Sequence, residues 1–128
     1  MIQLFSDNNH LISLERAKEM IRTYREKKAT ILQPEYADSN VLPHSETFNR
    51  EAFDRLMAQP GCAGVRIYYG MDEQLNVHAI VIGVNENNED LLPSTDSTGS
   101  SEPTGEPLIL EEAVRCPPNC PEGSVLYP

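Results

Sequence analysis

Residues 65–84 read V-R-I-Y-Y-G-M-D-E-Q-L-N-V-H-A-I-V-I-G-V, and this stretch decides the fold. Val65–Tyr69 alternates β-branched and aromatic residues around Arg66, which predicts a strand. Leu75–Val84 is a second strand, and the connector between them is too short for a crossover. An antiparallel hairpin follows. The second strand is apolar on both faces after His78. It is expected either at the centre of a covered sheet or buried against a partner chain. Pairing Ile67 with Ala79 gathers Val65, Ile67 and Tyr69 with Leu75, Val77, Ala79 and Val81 on one apolar face. Arg66, Tyr68, Asn76 and His78 then share the other.

Two helices precede the hairpin. Ser13 is a plausible N-cap for a helix running to about Lys28, with Leu14, Ala17, Ile21 and Tyr24 on one face. Ser45 or Thr47 is expected to open the second, with Phe48, Ala52, Phe53, Leu56 and Met57 as its stripe. Pro60–Gly61 stops it. Pro34, Asp38 and Pro43 mark the intervening segment as a connector. Beyond the hairpin, residues 93–107 form a Ser/Thr/Pro/Gly-rich stretch with almost nothing to bury, and a mobile loop is expected there. Leu108–Val114 is expected as a short helix or an edge strand, and a Pro-rich C-terminal tail follows in extended form. The expected class is α+β: one domain over 1–128, two helices packed on a small antiparallel sheet.

The chain has 128 residues and a net charge of −10, with 20 acids against 10 Lys and Arg. Eight of the basic residues lie in 1–57, so residues 58–128 carry most of the negative charge. Such a balance repels phosphate backbones and anionic bilayers, and neither nucleic acid nor membrane is an expected partner. The first residues lack the basic and apolar regions of a secretory signal, and no apolar run is long enough to cross a bilayer. The cytoplasm is the expected compartment.

Three cysteines stand in Pro/Gly-rich contexts: Cys62 in P-G-C-A-G, Cys116 and Cys120 in C-P-P-N-C. The spacing of the last two is permissible for zinc, with Cys62 as a third sulfur and His44 or His78 as a nitrogen. A second closely spaced ligand pair is lacking. A disulfide within C-P-P-N-C competes with that reading, opposed by a reducing compartment and by two prolines in a small ring. Three thiols packing as small hydrophobes is the simplest alternative. Cys62 as a nucleophile would need a histidine nearby, and nothing local supplies it.

Arg66, Tyr68 and His78 form a polar group on an otherwise apolar sheet, suited to a carboxylate or phosphate if that face floors a pocket. The small-molecule ligand is not legible. Lys18, Arg22 and Arg25 make a basic face on the first helix, where an acidic partner, including the acidic half of a second copy, could dock. Interleaved Glu15, Glu19 and Glu26 would otherwise pair with it locally. Asn85–Asp90 offers oxygens without the pattern of a calcium loop. No nucleotide, zinc-protease or hydrolase motif occurs.

The stretch L-M-A-Q-P-G-C-A-G-V-R-I-Y-Y-G-M-D, with V-H-A-I-V-I-G-V-N and the ending R-C-P-P-N-C-P, resembles a family of small bacterial proteins with no assigned activity. The resemblance covers most of the chain apart from the Ser/Thr-rich loop. It implies that the P-G-C turn and the C-P-P-x-C tail belong to one design. The expected function is a non-enzymatic binding or interaction module without a cofactor, self-association included. The alternative is a thiol- or zinc-dependent protein using Cys62, Cys116 and Cys120.

Overall fold

A computed structural model describes residues 9–93 and 108–127. Most of the expected 93–107 loop falls outside the described residues. Helix α1 spans Leu14–Ile31, β1 Ser45–Thr47 and α2 Arg50–Met57. Strands β2 (Gly64–Met71) and β3 (Val77–Val84) follow, then β4 (Ile109–Leu110) and β5 (Val114–Cys116). The class is α+β. No helix among the described residues is long and apolar enough to cross a membrane.

Contacts gather into two compact units interleaved along the chain. The first holds Phe48–Gly70 and His78–Glu112, and its sheet runs β2-β3-β4. Ala63 N donates to Val84 O at one end of the β2–β3 pair and Asp72 N to Asn76 O at the other, which makes the hairpin antiparallel. Asp72 builds its turn. Its Oδ1 accepts the amides of Gln74 and Asn76 while Leu75 takes φ +68°, an Asx turn followed by a left-handed residue. Strand β3 is central, and Val81, Ile82, Gly83 and Val84 are all buried. Leu56 of α2 is fully buried too.

The two faces of β2 do not divide as its polarity suggests. Val65, Ile67 and Tyr69 are exposed, whereas Arg66 is half-buried. The cause is the turn after β3. Asn85 Oδ1 accepts the amides of Asn87 and Glu89, and this places Asn88 and Asp90 against Arg66. A guanidinium with carboxylate and amide partners tolerates burial that an unpartnered one would not.

The second unit holds 9–47, 71–77 and 113–128. Ser13 caps α1 as expected, its Oγ accepting Arg16 N at 3.0 Å. The segment 45–47 is not the start of a helix. It pairs antiparallel with β5, Ser45 opposite Cys116, Glu46 opposite Arg115 and Thr47 opposite Val114. The ladder satisfies backbone groups that helix capping would have left open, and α2 begins only after Asn49. Leu108–Val114 divides into β4 and the start of β5, with Glu112 at φ +64° between them. Cys116 therefore ends a strand rather than lying wholly in turn backbone.

Arg115 ties the second unit together. Its Nη1 donates to Glu46 Oε2 at 2.9 Å and to Val77 O, and its Nη2 donates to Asn40 O at 2.8 Å. Tyr24 and Lys28 of α1 hold the incoming segment through the carbonyls of Pro43 and Leu42, each at 2.7 Å.

Candidate interaction site

Helix α1 is eighteen residues long and buries none of them completely. Its half-buried positions are Ala17, Lys18, Ile21, Tyr24, Arg25 and Lys28, of which Ala17, Ile21, Tyr24 and Lys28 recur at three- and four-residue steps. Beside that line, Lys18, Ile21, Arg22, Arg25 and Glu26 face Val125 and Leu126 across a groove of about 290 Å³. A volume of this size lies at the lower end of the range of ligand pockets.

The chain after Cys120 is folded back by local bonds. Ser124 N donates to Pro121 O, Tyr127 N to Ser124 O, and Leu126 N to Ser124 Oγ. Tyr127 anchors the segment. The Arg25 guanidinium stacks on its ring at 4.8 Å, and the His44 ring meets it edge-on at 5.5 Å. This anchoring leaves Val125 59% and Leu126 39% exposed as one apolar wall.

The groove is strongly cationic. Glu19 pairs with Arg16 at 3.3 Å, not with Lys18 or Arg22. Among the described residues neither Lys18 nor Arg22 forms an ion pair. Burial, then the Lys28 and Arg25 charges, holds His44 below its ordinary range. Its Nδ1 is buried without a hydrogen-bond partner. Burial, followed by Arg25, likewise lowers Lys28.

The other sequence candidates go elsewhere. Arg66 and Tyr68 converge on one carboxylate, that of Asp90, with Tyr68 Oη donating to Oδ2 at 2.5 Å and Arg66 also donating to Asn88 Oδ1. The bond to Asp90 raises the Tyr68 hydroxyl above its ordinary range. His78 Nδ1 instead lies 3.4 Å from Glu111. Arg66 and His78 therefore face different carboxylates of the chain itself. The side-chain oxygens of Asn85, Asn88, Glu89 and Asp90 are likewise engaged, in the turn and with Arg66 and Tyr68.

Cys116 and Cys120 form a disulfide, and the Cys116–Pro117 and Pro117–Pro118 bonds are cis. As a disulfide the pair offers no thiolate to a metal. Cys62 is a free, half-buried thiol whose Sγ donates to Gly64 O at 3.3 Å. Among the described residues no group of three or more His, Cys, Asp or Glu is arranged to hold a metal ion.

Lys18, Arg22 and Arg25 were legible as a basic face. Val125 and Leu126 were not singled out, because nothing in the sequence says that the tail returns to α1. No family model matches this chain, and the searches of curated proteins and of solved structures give no match either.

Proposed function

We propose that this chain is a non-enzymatic cytoplasmic interaction module that engages another polypeptide, a second copy included, through one side of α1. The observation that carries the reading is the groove beside α1, where Lys18 and Arg22, which form no ion pair among the described residues, stand next to an exposed apolar wall. Surfaces that place apolar and charged groups together are built to be covered. The motif resemblance, for its part, implies no activity.

A photo-crosslinking residue at Leu126, compared with one at Thr30 on the exposed side of α1, tests the proposal in cells. A discrete polypeptide adduct from Leu126 alone supports it, and an adduct of twice the chain mass makes the partner a second copy. Equal adducts from both positions, or none from either, overturn it.

A second reading, a thiol-dependent protein, requires this disulfide to be reduced. A bond of this kind persists in oxidising compartments and is reduced in the cytoplasm, where zinc could then compete for Cys116 and Cys120. Trapping thiols at lysis, followed by intact-mass measurement, separates the two. One free thiol with no metal rejects the zinc form and the cytoplasmic assignment. Three thiols with one zinc, lost in Cys116→Ser, establish the zinc form.

A further inference from the structure

We infer that the α1 groove takes an acidic amphipathic helix of a partner protein. The inference rests on the interaction-module reading above and names the chemistry of its partner. Lys18, Arg22 and Arg25 follow one another at steps of four and three residues, so their backbones spread over about 10 Å of helix. Cations strung out over two turns match several anions spaced one turn apart rather than a single head group. Carboxylates at three- and four-residue steps on a second helix have that spacing.

The apolar half of the groove selects further. Ile21, Val125 and Leu126 offer nothing to a bare polyanion, whereas a helix with apolar residues beside its acids covers them and meets the cations together. Leu14 lies one turn before Lys18 on the same side and is 54% exposed, so the apolar strip continues beyond the groove. An anionic membrane is disfavoured by the net charge of −10, which repels an extended negative surface but not a short segment entering the basic groove. Among the described residues Glu26 is the one acid lining the groove, and it would disfavour acids at that end of the ligand.

The test uses the full chain and three fluorescein-labelled synthetic peptides. One carries Leu on one helical face flanked by Glu; its siblings have Gln or Lys in place of Glu. Binding is read by fluorescence anisotropy at low and moderate salt. The Glu–Leu peptide is expected to bind tightest, and to weaken at least about tenfold for Arg22→Glu, the loss expected when a close charge pair becomes repulsive. Lys27→Glu alters net charge equally outside the groove and is expected to change affinity less than about threefold. Leu126→Ser should weaken binding several-fold, and thermal melting confirms that each variant folds.

Equal loss from Arg22→Glu and Lys27→Glu overturns the inference, since only net charge would then matter. No binding by any peptide to a folded chain also overturns it. Equal binding of the Gln–Leu and Glu–Leu peptides, with loss in Leu126→Ser, removes the acidic partner but leaves the interaction-module reading standing. The crosslink from Leu126 judges that reading separately.

Discussion

At the scale of single residues, two side chains in the second unit carry the clearest consequences. Arg115 faces Glu46 and two main-chain carbonyls, and only 16% of its side chain is exposed. Arg115→Ala leaves a nearly buried carboxylate without its cation and is expected to cost about 3–5 kcal/mol in urea unfolding, with a smaller loss for Arg115→Lys. His44 gives a pH signature. Its folded pKa lies below the ordinary value, so the unfolded chain takes up the proton first as pH falls. Stability is complete above about pH 6.5 and declines below it toward the folded pKa. Urea midpoints at neutral and mildly acidic pH should therefore diverge more for the native chain than for His44→Gln. Neither role was legible. His44 read as a distant zinc ligand and Arg115 as the residue before a cysteine, because their partners are thirty or more positions away or on another element.

At the scale of elements, local chemistry and tertiary pairing divide the work. Ser13, the α1 stripe, the Pro60–Gly61 stop and the two hairpin strands were readable, since caps, periodicity and turn residues act within a few positions. The segment 45–47 was misread as a helix start because Ser and Thr cap helices and also suit strands; β5, far along the chain, decided between them. Gly83 shows how tightly β3 is packed. A Cβ there would stand 3.0 Å from Cys62 Sγ and 3.1 Å from Gln59 Nε2. Gly83→Ala is expected to destabilise by about 1–3 kcal/mol as overpacking, and Cys62→Ala should relieve part of that loss in a double-mutant cycle. In the same unit Leu56→Ala, opening space at a fully buried position, should cost about 2–5 kcal/mol in chemical unfolding.

At the scale of the whole molecule, the disulfide closes a ring between residues four apart. Chain-entropy arithmetic for so short a loop gives about 2 kcal/mol, so reduction or Cys116→Ser/Cys120→Ser should lower stability by about that amount. A loss near zero would show that the bond adds little to the fold. The sequence by itself determined the α+β class, the hairpin, α1 with its cap and basic face, and the acidic net charge. These depend on periodicity, turn chemistry and composition, all of which act locally or in sum. Only the tertiary structure decided that β1 pairs with β5, that Arg66 turns to Asp90, and that Val125 and Leu126 complete a groove with α1. Those outcomes depend on residues distant in sequence meeting at hydrogen-bond range, and no local pattern encodes which distant partner a strand, an arginine or a tail will find.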